Sequence, residues 1–272
     1  MTYALFDQWR STPGSSRPRL SVVIPTYNEA ERIIPTVAAI AVHISRSGLD
    51  WECIVSDDGS TDGTVDLVEG LDLANLRVIR APHNLGKGAA VRRGMLEARG
   101  DLVLFCDADN STPIDELDHL LARLEQGRHD VVVGSRASAG ATVANRSNLR
   151  EALSRGLQWL VRVVIRTGVR DTQCGFKLFT RTAAHSIFSR QRLDGFAFDL
   201  EVLFLAERLG FSVGEEPVRW FDAPFSKVNP LVEPFRFLRD VIRIRGVAMT
   251  GAYREPVCPP LTPESSLLQQ TA

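Results

Sequence analysis

Five short apolar runs recur through the first half of the chain: Leu20 to Pro25, Trp51 to Ser56, Leu76 to Arg80, Leu102 to Cys106 and Val131 to Gly134. Each is bounded by Asp, Gly, Asn or Pro. Amphipathic stretches of helical length fill the intervals, at Glu29 to Ser47, Asp62 to Leu71, Gly88 to Arg99 and Pro113 to Gln126, the last with Pro113 at a helix start behind Ser111 and Thr112. Strands that are apolar on both faces and separated by helices predict an α/β class, with a mainly parallel sheet and helices on both sides. Such sheets bind ligands at the carboxyl ends of their strands. Three of the runs end there in polar clusters: Pro25-Thr26-Tyr27-Asn28-Glu29, Asp57 to Asp62, and Asp107-Ala108-Asp109.

After Arg136 the pattern changes. A Gly/Ala/Ser-rich link, Ala137 to Ala144, leads to an expected helix from about Asn145 to Thr167, a loop from Gly168 to Gly175, and then strand, helix and strand to about Trp220. Residues 1–19 read as a mobile leader without the apolar segment of a signal peptide, 20–220 as the catalytic domain, 221–253 as a basic amphipathic extension and 254–272 as a disordered tail. No apolar run approaches the roughly 20 residues a spanning helix needs. Four cysteines without pair spacing point to a reducing compartment and against structural zinc.

The formal net charge of −1 conceals an asymmetry: 146–181 carries eight basic residues against two acidic, and 219–254 carries seven against three. The second half therefore suits an anionic partner such as phosphate, nucleic acid or a membrane surface. Lysines number only three, Lys87, Lys177 and Lys227, and all lie within motifs.

The Asp107-x-Asp109 pair at the end of a buried strand offers hard oxygen ligands to magnesium or manganese, ions that keep substrate phosphates in their shell. Taken alone it also fits a solvated turn or a cap for the helix at Pro113. Asn84-Leu85-Gly86-Lys87-Gly88 opens a helix with two glycines beside a point charge, an arrangement that lets amides approach phosphate. It lacks the P-loop spacing, and no Gly-x-Gly-x-x-Gly follows the first strand, which argues against a dinucleotide dehydrogenase.

Together with Ser21 to Glu29, Asp57 to Asp62 and Gly134-Ser135-Arg136, these segments resemble glycosyltransferase family 2, whose members have the Rossmann-like GT-A fold. The later segments Gln173-Cys174-Gly175-Phe176-Lys177, Phe198-Asp199-Leu200-Glu201, Ser226-Lys227-Val228 and Leu238 to Arg245 are similar to its dolichyl-phosphate β-glucosyltransferase branch and bacterial polyprenyl-phosphate relatives. The resemblance runs from about Leu20 to Arg245. Asp222-Ala223-Pro224, where some mannosyl relatives carry an arginine, favours the glucosyl branch.

The resemblance implies a nucleotide-sugar site at Pro25, Tyr27, Glu29, Lys87 and Ala108, with Asp58 or Asp57 accepting a hydrogen bond from the base. It implies Mg2+ or Mn2+ on Asp107 and Asp109, Lys227 at the diphosphate, and an acceptor site of Arg136, Arg146, Arg150, Gln173 and Lys177. Asp199, Lys227 and Arg136 form the implied catalytic set, with Asp199 positioning a phosphate acceptor rather than removing a proton from it. The implied reaction is inverting transfer of glucose from UDP-glucose to polyprenyl or dolichyl phosphate. Helical wheels place Arg155, Arg162 and Arg166 opposite a leucine face over 146–166, with Arg146 and Arg150 on the leucine side at the first turn, and Arg236, Arg239 and Arg243 opposite Leu238, Val241, Ile242 and Ile244 over 235–247. Amphipathicity of this kind fits core packing with a solvated arginine face as well as a membrane interface, and the resemblance implies the interface, on its cytoplasmic face. Two rivals remain: a family 2 transferase with a soluble hydroxyl acceptor, for which Asp199 is an obligatory base, and a non-catalytic lipid- or nucleic-acid-binding module.

Overall fold

The computed structural model describes Trp9, Ser15 and residues 17–144, 167–221 and 233–257, the side chains of 143–144 and 233–238 excepted. The expected helix from Asn145, with Arg146 and Arg150, lies outside the described residues. So do Ser226-Lys227-Val228, most of the leader and the tail beyond residue 257.

All five apolar runs are strands: β1 (Leu20–Thr26), β2 (Trp51–Asp57), β3 (Leu76–Arg80), β4 (Leu102–Cys106) and β5 (Val131–Ser135). The expected helices are α1 (Ile33–Ser47), α2 (Thr64–Glu69), α3 (Lys87–Glu97) and α4 (Glu116–Gly127). Beyond them follow β6 (Thr142–Ala144), β7 (Phe176–Thr180), α5 (Arg181–Phe188), α6 (Phe198–Arg208), β8 (Val213–Pro217), β9 (Arg219–Phe221) and α7 (Glu233–Met249). Two helices thus stand where the sequence suggests one.

Seven strands form one sheet in the order β3-β2-β1-β4-β7-β5-β8, and β6 pairs with β9 in a separate ribbon. Every pairing in the large sheet is parallel except those of β7, which runs antiparallel to both β4 and β5. The period-2 alternation of a strand divides its side chains between two cores. Val22, Ile24, Leu102 and Leu104 pack with α1 and α4, while Val23, Val103 and Phe105 pack with α3, α5 and α6. Burial on both faces is what makes β1, β2, β4 and β5 read as continuous apolar runs.

The extension is not separate from this core. Val241 and Ile244 of α7, with Tyr253 beyond it, belong to the same cluster as Leu200 and Leu203 of α6. The Tyr253 hydroxyl donates to Glu201 (2.6 Å), and the Arg192 guanidinium donates to the Ala252 carbonyl (2.7 Å). One expectation for α7 needs correction. Ile242 is 64% exposed and shares the outward face with Arg239 and Arg243, because at roughly 100° per residue it falls outside the arc centred between Val241 and Ile244.

The leader is likewise not wholly free: Trp9 is 2% exposed, stacks on Trp51 with centroids 5.1 Å apart, and donates its indole N–H to Asn75. Trp9→Ala should therefore lower unfolding stability by about 3 kcal/mol, as removal of a buried indole does elsewhere, read from the urea midpoint at unchanged slope. A midpoint equal to wild type would show that Trp9 contributes nothing to the fold.

Candidate active site at the carboxyl edge of the sheet

The loops after β1 and β2 are knitted together at the carboxyl edge. Asn28 donates its backbone N–H to the Ser60 hydroxyl, and its side-chain carbonyl accepts from the Thr61 N–H, both at 2.8 Å. Glu29 N–H reaches the Thr64 hydroxyl (2.8 Å), and Ala30 N–H reaches Asp62 (3.1 Å). Asn28 holds φ +55°, a left-handed conformation that Asn tolerates better than most residues. The turn leaves the Tyr27 ring 40% exposed at the edge, while Glu29 is drawn into an ion pair with Arg32 (2.6 Å).

Asp57 and Asp58 are both buried and both already engaged. Asp57 accepts the N–H groups of Gly59 and Ser60, at 3.0 Å each. Asp58 accepts those of Leu85 (3.1 Å) and Gly86 (2.7 Å), which ties the glycine loop to the end of β2. On the other side of Lys87, the N–H groups of Gly88 (2.7 Å) and Ala89 (3.3 Å) point to the Asp194 carbonyl. Gly86 sits at φ +111°, and a Cβ there would collide with that same carbonyl. The start of α3 is therefore fixed from both sides.

Asp107 follows β4 directly, and its Oδ1 lies 2.7 Å from Lys87 Nζ. Burial alone would lower the Lys87 ammonium, but Asp107, then Asp199 and Asp109, hold it above the ordinary lysine value. A Cβ on Gly175 would strike the Asp107 carboxylate, and the Asp107 N–H donates to the Gly175 carbonyl (3.1 Å). The Gln-Cys-Gly-Phe loop thus forms one wall around this carboxylate. Asp109 accepts the Ser111 N–H (3.0 Å), and Ala108 is buried with its carbonyl on the Thr36 hydroxyl (2.7 Å).

Two residues expected to face the acceptor lie deeper than that. Lys177 is 1% exposed and donates to Asp199 (2.5 Å) and to the Cys174 carbonyl (2.6 Å). It comes from β7, whose alternation carries it inward at the strand's start, so it fixes Asp199 from below. Arg136 makes a two-pronged pair with Asp171 (2.6 and 2.9 Å), and its guanidinium lies 5.3 Å from the centroid of the Trp220 ring. It braces the 168–175 loop against β5. Gln173, by contrast, is exposed on that loop. Burial raises the Asp199 carboxyl above its ordinary value, although Lys177 and then Lys87 oppose it.

The sequence model of Glycosyl transferase family 2 matches residues 21–188. A dolichyl-phosphate β-glucosyltransferase of Trichomonas vaginalis is 39% identical over 219 residues, covering 76% of this chain and 65% of its own. Another of that name, from Dictyostelium discoideum, is 36% identical over 250 residues, 86% of this chain and 76% of its own. The chain belongs to glycosyltransferase family 2.

Its GT-A fold is shared with the glucosyl-3-phosphoglycerate synthase of Mycobacterium tuberculosis, solved with Mn2+, UDP and glucosyl-3-phosphoglycerate. That structure matches with a TM-score of 0.63 at 22% identity, over 92% of this chain and 84% of the other. In this family 2 chain no group of three or more His, Cys, Asp or Glu side chains able to hold a metal occurs among the described residues. Asp107 and Asp109 nevertheless fit Mg2+ or Mn2+, because such ions take one or two carboxylates and complete their shell with water and phosphate.

Three residues that support this edge were not singled out from sequence: Asp171, which holds Arg136; Glu201, which accepts the N–H groups of Arg192 and Leu193; and Asp194, whose carbonyl caps α3. Glu201 was signalled by lying two residues after Asp199 in an otherwise apolar helix. A backbone carbonyl such as that of Asp194 leaves no mark in side-chain chemistry. Gly175→Ala should displace the Asp107 carboxylate and weaken Mn2+ binding at least tenfold (about 1.4 kcal/mol), measured by calorimetry alongside a melting curve. Wild-type Mn2+ affinity in that variant would mean that the loop does not set this carboxylate.

Proposed function

We propose that the chain transfers glucose, with inversion, from UDP-glucose to a polyprenyl or dolichyl phosphate. The observation that carries this reading is the 36–39% identity to two dolichyl-phosphate β-glucosyltransferases over 219 to 250 residues. The chain spans 65% and 76% of those relatives, and Asp57, Asp58, Lys87, Asp107, Asp109 and Asp171 fall within residues 21–188 matched by the family model, while Asp199 follows them.

In this reading the exposed Tyr27 ring stacks on the base and the Lys87 ammonium, at the start of α3, receives the diphosphate. A phosphate oxygen of the acceptor attacks the anomeric carbon from the face opposite the leaving group. The C1–O bond breaks as the new one forms, and the diphosphate leaves with the bonding pair. Mg2+ or Mn2+ on Asp107 and Asp109 supplies Lewis-acid stabilisation when bound. Lys87, with Lys227 from outside the described residues, adds positive charge that neutralises the leaving group. Arg146, Arg150 and Gln173 are assigned to the acceptor phosphate, and Arg136 acts on it through the loop that it braces.

A phosphate monoester has a second pKa near 6 and is largely anionic at neutral pH, so it needs no base. Asp199, clamped by Lys177, is therefore a positioning residue. A release assay across a panel of nucleotide sugars, with and without polyprenyl phosphate, tests the reading. UDP-glucose should be the donor consumed, and only with the lipid phosphate present. Asp199→Asn should keep activity within about tenfold of wild type, whereas loss of an essential general base costs about 10² to 10⁴-fold. A dead Asp199→Asn enzyme, active in wild-type form on a soluble hydroxyl acceptor, would replace the phosphate reading. Turnover of no sugar nucleotide, with lipid or nucleic acid still bound, would replace catalysis altogether.

No helix among the described residues is long and apolar enough to cross a membrane. We assign the chain to the cytoplasmic face of a membrane as a peripheral protein, through the outward face of α7. There Ile242 and Met249 (64% and 88% exposed) alternate with Arg239 and Arg243, a mixture suited to anionic headgroups above acyl chains. The protein should sediment with anionic vesicles at low salt and be released as ionic strength screens the arginines, and Ile242→Asp should reduce sedimentation. Equal sedimentation with zwitterionic vesicles, or none at low salt, would remove this assignment.

A further inference from the structure

The carboxylate that would receive a divalent cation is already neutralised by a cation of the same chain. Lys87 Nζ lies 2.7 Å from Asp107 Oδ1 and 5.6 Å from the centroid of the Phe105 ring, on which Lys177 Nζ also lies, at 5.8 Å. Lys177 is committed to Asp199 and the Cys174 carbonyl. Lys87 has no such second anchor among the described bonds, and only its backbone is pinned, through Gly86 to Asp58 and through Gly88 to Asp194. Its four-carbon stem can pivot about a fixed base.

A doubly charged ion placed on Asp107 would sit against this ammonium at a separation where like charges repel strongly. The ion and the lysine cannot both occupy the same carboxylate oxygen. The lysine can leave without becoming an unpaired charge only if another anion arrives, and a nucleoside diphosphate brings one. We propose that Lys87 is an internal counter-ion that keeps the Asp107–Asp109 pair closed to a divalent cation alone and opens it to cation and nucleoside diphosphate together, by passing from Asp107 to a phosphate oxygen. The proposal rests on the reading of this edge as a metal and nucleotide site and adds to it a direction of coupling. The two ligands tighten each other reciprocally, beyond the contact they make directly.

The test is Mn2+ affinity, followed by the electron paramagnetic signal of the free ion, for the wild type, Lys87→Met, Lys87→Arg and Arg80→Met, each with and without UDP. Arg80 is a cation of the same edge that contacts the Ser60 carbonyl and lies 3.9 Å from Asp57, so its variant reports the general field of the edge. Without UDP, Lys87→Met should bind Mn2+ about tenfold more tightly than wild type, within the ~5–150-fold span usual for coupled sites. Its gain on adding UDP should shrink correspondingly. Lys87→Arg should stay near wild type and Arg80→Met should shift by less than about threefold. Unchanged or weaker Mn2+ binding by folded Lys87→Met, or an equal gain in Arg80→Met, overturns the counter-ion role. Failure of the wild type to bind Mn2+ even with UDP removes the metal site itself, and the counter-ion with it.

Discussion

Six buried or half-buried aspartates, Asp57, Asp58, Asp107, Asp109, Asp171 and Asp199, meet at one edge of the sheet, and the site depends on how their charges are balanced. Removing carboxylates from water is costly unless each finds hydrogen bonds or a cation. Here the solutions differ from one carboxylate to the next. Asp57 and Asp58 take backbone N–H groups, Asp171 takes Arg136, Asp199 takes Lys177, and Asp107 takes Lys87. Each solution also fixes a piece of chain: a loop, the start of a helix, or the wall against which the next carboxylate stands. Electrostatic compensation and the shaping of this edge are one set of contacts.

The antiparallel strand β7 supplies much of this. Inserted between β4 and β5, it brings the 168–175 loop back over the end of β4, where Gly175 abuts Asp107, and it drives Lys177 beneath Asp199. A purely parallel sheet would carry that loop to the opposite edge.

Much of this was legible in the chain itself. Strands buried on both faces announce themselves as apolar runs, and the clusters ending β1, β2 and β4 marked the edge correctly. The direction of β7 was not legible, because apolar pattern records burial and is blind to whether a neighbour runs up or down. The depth of Lys177 and the pairing of Arg136 escaped for a related reason. A motif names a residue, but whether its charge faces a ligand or a neighbouring carboxylate depends on partners such as Asp199 and Asp171 brought in from elsewhere in the chain. Ile242 shows the same limit on a helix, since the wheel gives angles while the docking of Val241 and Ile244 decides which angles are covered.

The bond between Tyr253 and Glu201 spans 52 positions and ends on a carboxylate sealed inside the protein. Without the phenol, that carboxylate would keep only the N–H groups of the 192–193 turn, and Phe204, on which the Tyr253 ring rests at 5.9 Å, would lose its cover. The folding unit therefore closes beyond Tyr253 rather than at the last strand. A chain cut between β9 and α7 would be two fragments of one domain, held together by contact instead of by connectivity, and the second fragment would be needed in trans for the first to keep its shape.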